Sequence, residues 1–315
     1  MQPYYKRLYP LIKWFLSIIS IGYFVLEWSN LDQSLFKGIV STLQNNIAWI
    51  LLVLALAIVN WSCEASKLRL LLKSEVKLKP IRAFFIVLAG VAISNFTPAR
   101  TGEYIGRGLL LKKLHPFKVV IASITGNLAQ VLLTYLLGLL AVIYFYFTTD
   151  LVQNWFGDNN YLFWGVFVLI LVVVFVVFAK PLVATISKLV PFKIKKTLAI
   201  VKRYNQSVFG RIVGISFLRY VAFSLQFFIL LQVFSGFSLP AESILLVPVA
   251  YLSQTLVPVP AVADISVRVV VATLLFGSFI SKPDIMQTVT TIWFINLILP
   301  GLIGTFSLLI STLRK

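Results

Sequence analysis

Six long apolar runs constrain the fold of this chain more than any other feature of its sequence. Each is close to the roughly 20 residues that an α-helix needs to cross about 30 Å of hydrocarbon at 1.5 Å per residue. The runs cover residues 8–28, 47–72, 119–148, 161–179, 212–234 and 286–313. Hydrophobic residues make up 59% of the chain and charged residues only 12%, about half the charged fraction of a soluble domain. The sequence therefore predicts an all-α, polytopic integral membrane protein with about six spanning helices.

The first run follows basic residues, as in a secretory signal, but it ends at Glu27 and Trp28 without a small-x-small cleavage site. We therefore expect an uncleaved first helix. The single cysteine, Cys63, lies in an apolar run, and the single histidine, His115, has no Cys, His or carboxylate cluster near it. The sequence predicts no disulfide within the chain, no metal site and no cofactor.

The distribution of basic residues predicts the orientation. Most of the 28 Lys and Arg residues lie in segments that become cytoplasmic together. These segments are the two termini and residues 67–82, 112–118 and 180–211. The opposite loops, at residues 29–46, 149–160, 235–242 and 281–285, contain only Lys37 and Lys282. Because cytoplasmic loops are enriched in Lys and Arg, we expect both termini at the cytoplasmic side of a cell membrane. The formal charge of +18 is then explained by basic residues in the cytoplasmic segments and does not predict nucleic-acid binding.

Two proline-containing segments interrupt the pattern of spanning helices. Residues 83–111 begin and end at the cytoplasmic side, and their polar middle would lie near membrane mid-depth. Residues 244–280 begin and end at the outer side and are broken around Pro258 and Pro260. Each arm of the first segment has about 15 residues, which is short for a full crossing. These features predict two re-entrant hairpins that enter from opposite faces.

The hairpins divide the chain into two similar halves. Residues 1 to about 150 and about 155 to 315 each read as helix, helix, hairpin, helix, with opposite starting sides. The sequence thus predicts one transmembrane domain, residues 1–315, built as an inverted-topology repeat of the kind found in transporters. Glu103 with Arg107, and Asp264 with Arg268, recur at i, i+4 spacing, which places each pair on one helix face.

The first hairpin carries a specific motif. It reads Ser94-Asn95-Phe96-Thr97-Pro98-Ala99-Arg100-Thr101-Gly102-Glu103, followed by Arg107. This motif resembles the family that includes the transmembrane region of lysylphosphatidylglycerol synthases and many flippase-like membrane proteins. The resemblance implies movement of a phospholipid with an anionic or aminoacylated headgroup between leaflets. The soluble aminoacyl-transferring domain of the synthases is expected to be absent, because the chain stops at Lys315 after the last helix.

The second hairpin departs from the pattern of these relatives. It reads Pro260-Ala261-Val262-Ala263-Asp264-Ile265-Ser266-Val267-Arg268-Val269. The acid and the arginine remain, whereas the glycines and the final glutamate of the relatives do not.

Charged groups at mid-depth are costly in hydrocarbon and mark candidate sites. The predicted substrate-binding residues are Arg100, Glu103, Arg107, Asp264, Arg268 and Asn95. Predicted structural breaks are Pro98, Gly102, Pro258 and Pro260. Mutual pairing is the alternative role for the acids and arginines. For Asn95 the favoured alternative is a hydrogen bond to backbone groups that Pro98 leaves free at the break. Glu64 is interpreted as a solvated partner of Lys67 and Arg69, with proton coupling as the alternative.

Three functions fit these features. The leading hypothesis is a flippase-like transporter of a phospholipid or lipid-linked anionic substrate. The alternatives are an intramembrane enzyme that modifies a lipid or glycolipid through Glu103 or Asp264, and a scaffold for a separate lipid-modifying enzyme. Residues 180–211 would supply the docking surface of the scaffold. Catalytic and nucleotide-binding motifs are absent from the sequence, so we expect no enzymatic activity and expect passive, ion-coupled or partner-driven transport.

Overall fold

The computed structural model describes residues 33–95, 97, 101–111, 114–148, 165, 204–256 and 261–313, without the side chains of residues 33–35, 261–264 and 311–313. Within these ranges the regular secondary structure is helical. The α-helices are α1 (Gln33–Asn45), α2 (Ile47–Leu71), α3 (Pro80–Ser94), α4 (Gly102–Leu110), α5 (Pro116–Thr148), α6 (Gln206–Phe234), α7 (Leu246–Leu256), α8 (Ala261–Phe276), α9 (Lys282–Trp293) and α10 (Leu299–Leu313). A short 3₁₀ turn, Ala241–Leu245, precedes α7.

Four helical segments of the described chain are long and apolar enough to cross a membrane. They are α2, α5, α6 and the continuous segment Lys282–Ile310, with 25 to 33 residues each. Exposed positions on them are themselves apolar, as at Ile58, Leu140 and Phe217, which suits contact with lipid. The predictions of long apolar helices at residues 47–72, 119–148, 212–234 and 286–313 are therefore confirmed. The predicted spans at 8–28 and 161–179 lie outside the described residues, apart from Gly165.

The last span contains a local widening of the helix. A π-helical turn, Phe294–Ile298, joins α9 to α10. Pro300 follows after Leu299, and proline has no N–H to bond the carbonyl oxygen of Asn296 four residues earlier. Such turns are rare and often occur at functional sites. The turn carries Asn296, which belongs to the polar network described below.

The two proline-containing segments form pairs of short helices. Helix α3 contacts α4, and α7 contacts α8. These helices have 9 to 16 residues, or about 24 Å at most, less than the roughly 30 Å of a hydrocarbon core. At the first break, Thr97 Oγ1 donates to Ser94 O at 3.2 Å and accepts from Gly102 N at 2.6 Å. The description of the pairs as re-entrant hairpins of an inverted repeat stays a prediction.

Small residues allow α3 to lie between α4 and α10. A Cβ atom on Gly106 would lie 2.5 Å from Ala89 O, and one on Gly304 would lie 1.9 Å from Leu88 O. Both distances are far below van der Waals contact, so only glycine permits these backbone approaches. The short pair α3–α4 is thereby fixed against the last span.

The predicted connection at residues 29–46 contains a helix, α1, over residues 33–45, and its position on the outer side stays a prediction. This helix packs on α9, and Ile39 is buried there with other apolar side chains. The apolar residues of α1 recur at helical spacing, so the helix was predictable from the sequence of this segment.

Candidate functional site

A buried carboxylate, Glu64 of α2, lies at the centre of a cluster of charges. Its side chain is only 2% exposed. It contacts Lys67 Nζ at 2.8 Å, Arg107 Nη2 at 3.0 Å and Arg219 Nη1 at 2.8 Å. Lys67 comes from the same helix, Arg107 from α4 and Arg219 from α6. We call these four residues together with Glu103 the Glu64 cluster.

The cluster also includes the ion pair between Glu103 and Arg107 that the i, i+4 spacing predicts. Arg107 Nη1 donates to Ser123 Oγ of α5 at 3.1 Å, and Lys67 Nζ donates to Gly126 O of α5 at 3.2 Å. The cluster therefore joins helices α2, α4, α5 and α6. In an apolar medium water cannot replace the partners of these charged groups, so their mutual contacts favour one arrangement of the four helices.

A chain of amide groups extends the cluster toward the last span. Arg219 Nε donates to Asn60 Oδ1 at 2.8 Å, and Asn60 Nδ2 donates to Asn296 Oδ1 at 2.9 Å. Asn296 Nδ2 then donates to Gln226 Oε1 at 3.3 Å, and Gln226 Nε2 donates to Val53 O at 2.8 Å. Gln226 of α6 thus forms hydrogen bonds to α2 and to the π-helical turn.

A cavity of about 220 Å³ lies beside the cluster. Helices α2, α5, α6, α7, α8 and α9 and the π-helical turn surround it. It is lined by Asn60, Trp61, Gln130, Thr134, Arg219, Phe223, Tyr251, Thr255, Arg268, Ile292, Trp293, Asn296 and Leu297. We call it the central cavity. Two of its lining residues are arginines, and no Asp or Glu side chain of the described residues lines it.

Several polar groups around the central cavity have no hydrogen-bond partner within the described part of the chain. They are the amide of Gln130 and the indole Nε1 atoms of Trp61 and Trp293. The guanidinium carbon of Arg219 lies 5.6 Å from the centre of the Trp61 ring, within the range of a cation–π contact. These atoms are themselves buried, so in this conformation they are closed off from the open space of the cavity.

The structure separates the predicted site residues into two places. Arg107 and Glu103 belong to the Glu64 cluster and do not line the central cavity, whereas Arg268 of α8 lines it. Asn95 is buried at the end of α3, with Nδ2 2.9 Å from where a Cβ on Gly301 would lie. Gly102 begins α4, and a Cβ there would lie 2.5 Å from Ile93 O.

For the remaining predicted site residues, the structure describes either no position or, in the case of Asp264, no side chain. Arg100, Pro98, Pro258 and Pro260 belong to the segments that the structure does not describe. Asp264 is placed in α8 one turn before Arg268, but its side chain is not described. Their roles in substrate binding or in breaking the helices stay predictions.

Glu64 is paired with Lys67 as predicted, but the prediction that the pair is solvated and includes Arg69 is wrong. Glu64 and Lys67 are both buried, and Arg69 Nε instead donates to Leu78 O at 3.0 Å. Residues two apart on a helix point in nearly opposite directions, because each residue advances the helix by about 100°. Lys67 therefore shares the inward face with Glu64, and Arg69 does not.

The sequence reasoning also missed Arg219, Asn60 and Asn296. Arg219 is a lone cation inside the apolar run 212–234, and a charge at that position needs a partner from another helix. The sequence therefore contained a signal that Arg219 is paired with a residue of another helix. The partner, Glu64, lies 155 positions away in the sequence.

Comparison with protein families gives a match that covers nearly the whole chain. Residues 12–304 match the sequence model of the family described as "Lysylphosphatidylglycerol synthase TM region". A comparison with curated proteins gave no match.

Proposed function

Because the chain belongs to the lysylphosphatidylglycerol synthase TM region family, we propose that it moves a phospholipid or a lipid-linked anionic substrate between the leaflets of a cell membrane. Its long apolar helices and its family make it a multi-pass membrane protein. Membership of this family points to lipid modification or transport, and the geometry of the site favours transport.

The observation that carries the proposal is the wall of the central cavity. Arg219 and Arg268 line it, and no carboxylate of the described residues does. A guanidinium group binds phosphate through two parallel hydrogen bonds. Charges within a membrane are expensive and commonly mark a substrate pathway. The cavity is therefore suited to an anionic headgroup.

The arrangement of short helices supports a transport mechanism. Helices α7 and α8 both contribute to the cavity wall through Tyr251 and Arg268. Helix α4 of the other short pair is connected to the cavity through Arg107, Glu64 and Arg219. In transporters with inverted repeats, broken helices meet at a central site and one repeat moves against the other. We extend that mechanism to this chain, with both termini in the cytoplasm.

An enzymatic function has less support from the geometry. Glu64 and Glu103, the carboxylates described within the helical bundle, are engaged by cationic side chains. Neither lines the central cavity. A general acid must lie within hydrogen-bond reach of the substrate, and these two carboxylates do not reach the cavity.

The test is leaflet-resolved lipid movement in reconstituted vesicles. Arg268→Gln should lower the rate at least tenfold at low lipid concentration, since a hydrogen bond to a charged group contributes about 1.5–3 kcal/mol. Arg211→Gln removes a basic residue at an exposed position of α6, away from the cavity, and should leave the rate unchanged. Equal rates for vesicles with and without the protein, across several anionic lipids, would refute the proposal.

A further inference from the structure

We infer that a groove between α2 and α3, open toward the membrane, binds a phospholipid with an anionic headgroup from the leaflet that the basic residues predict to be cytoplasmic. This site is separate from the central cavity and independent of the proposed function. The groove has a volume of about 260 Å³. We call it the α2–α3 groove, and it is lined by Ile58, Ser62, Ala65, Ser66, Arg69, Pro80, Ile81 and Phe84.

The α2–α3 groove lies on the side of α2 that faces away from the Glu64 cluster. Ser62 and Arg69 are two and five residues from Glu64, which turns them about 140–160° away from it at 100° per residue. On the two helices that form the groove, Ile58 is 61% exposed and Ile81 is 64% exposed. Exposed apolar walls of this kind suit contact with lipid, so the groove is accessible from the membrane.

The length of the groove matches one leaflet of a bilayer. Ile58 and Arg69 are eleven residues apart on α2, or about 16 Å, close to half of a roughly 30 Å hydrocarbon core. Arg69 lies two residues before Leu71, the last residue of α2. The end of the groove at Arg69 is therefore at the depth of the headgroups, and the end at Ile58 is near mid-depth. An acyl chain of one leaflet fits between these two ends.

Arg69 supplies the contact for the headgroup. Its Nε atom donates to Leu78 O at 3.0 Å, which holds the guanidinium group at this end of the groove. Within the described part of the chain, its Nη1 and Nη2 atoms have no hydrogen bond and no ion pair, and the side chain is only half-buried. These two nitrogens are free to bind two phosphate oxygens in parallel. Ser66 lines the groove about one turn deeper, where its hydroxyl can donate to an ester carbonyl of a glycerophospholipid.

The charge around this end of the groove selects an anionic headgroup. Residues 69–82 contain five basic residues and one acid, Glu75. Glu75 is itself paired with Lys118 of α5, whereas Lys79 and Arg82 are exposed beside the groove. Basic pockets between membrane helices at the cytoplasmic side attract anionic lipid headgroups. A zwitterionic headgroup has no net charge and gains less from such a pocket.

The experiment locates the bound lipid on the full chain in phosphatidylcholine vesicles. The vesicles contain a trace of either phosphatidylglycerol or phosphatidylcholine, each with the same photoreactive acyl chain. After illumination, mass spectrometry of peptides measures the labelling of residues 58–66 and 81–84. We expect phosphatidylglycerol to label these residues about fivefold more than phosphatidylcholine does, which is the usual contribution of one basic residue near an anionic lipid. Lipid movement is not measured, so failure of the proposed function does not affect the result.

Two variants separate the headgroup contact from the space for the acyl chain. Arg69→Gln should lower labelling by phosphatidylglycerol to the level of phosphatidylcholine. Its control, Arg211→Gln, removes a basic residue at an exposed position near the start of α6 and should leave the preference unchanged. Ser62→Trp fills the groove, keeps Arg69 and should also remove the preference. Its control, Leu218→Trp, places the same side chain at a position of α6 that is 53% exposed and should have no effect.

Several outcomes would overturn the inference. Equal labelling of the groove by the two lipids means that the groove is ordinary lipid-facing surface. Labelling of α5 without labelling of the groove means that another segment of the chain or a second copy covers it. A preference that persists in folded Arg69→Gln or in folded Ser62→Trp, or that disappears in Arg211→Gln, assigns the selection to some other surface. If Arg69→Gln does not fold, the comparison of Ser62→Trp with Leu218→Trp decides.

Discussion

Replacing Glu64 by glutamine tests whether the Glu64 cluster holds the helices together. The substitution keeps the volume of the side chain and removes the negative charge that three cations share. Arg107 retains Glu103, and Arg219 retains Asn60 and the Trp61 ring. Lys67 retains only the carbonyl oxygen of Gly126 among its described contacts, so most of the loss should arise at Lys67.

The expected magnitude follows from burial. Removing one partner of a buried ion pair leaves an uncompensated charge and costs about 3–5 kcal/mol. Glu64 is 2% exposed and Lys67 is 1% exposed, so the full range applies. Adding Lys67→Met to Glu64→Gln removes the stranded ammonium group, and we expect it to recover about 2 kcal/mol, within the usual range of coupling energies.

The single cysteine provides the assay. Cys63 is 6% exposed and should react with a thiol reagent only when the protein unfolds. Its reactivity during titration with sodium dodecyl sulfate in mixed micelles then reports the free energy of unfolding. Glu75→Gln is the control, because Glu75 and Lys118 form a pair at 2.5 Å whose side chains are 14% and 28% exposed. A partly exposed pair contributes less than a fully buried one, about 1 kcal/mol. A loss for Glu64→Gln no larger than for Glu75→Gln would refute the reasoning.

Two further predictions concern topology and packing. A cysteine introduced at Lys282 should react with an impermeant reagent from outside, and one at Lys77 should not; the reverse pattern in intact cells would overturn the assignment of the termini to the cytoplasm. Gly304→Ala should destabilise the protein by about 1–3 kcal/mol through overpacking, because its Cβ would lie 1.9 Å from Leu88 O. A Cβ on Gly214 would have no atom within 4 Å, so Gly214→Ala should be neutral or stabilising by up to about 1 kcal/mol. Equal effects of the two substitutions in the same unfolding titration would contradict the close approach of α10 to α3.

The sequence could predict features that depend on local pattern. The length of an apolar run predicts a spanning helix, as for residues 47–72, because the membrane sets a minimum length that composition reveals. The ion pair of Glu103 with Arg107 was predictable because both residues lie on one helix face. The irregular turn near Pro300 was not predicted, although the missing N–H of proline gives a physical reason for it.

Features that depend on tertiary packing could not be predicted in the same way. Arg107 lies 43 positions from Glu64, and Arg219 lies 155 positions from it. No periodicity connects residues at such separations. The energetic argument that a lone arginine in hydrocarbon needs a partner predicts that Arg219 is paired. It does not identify which of the available carboxylates is the partner.

The Glu64 cluster connects the wall of the central cavity to helices from distant parts of the chain. Its members come from α2, α4 and α6, and the amide chain from Asn60 to Asn296 extends it to the last span. Arg219 is the one described member of the cluster that also lines the cavity. An anion bound to Arg219, as the proposed function requires, would compete with Glu64 for the same guanidinium group and would weaken a contact between α2 and α6. A ligand can shift an equilibrium between conformations only through such a difference in contacts. A ligand without negative charge would not compete with Glu64 for Arg219.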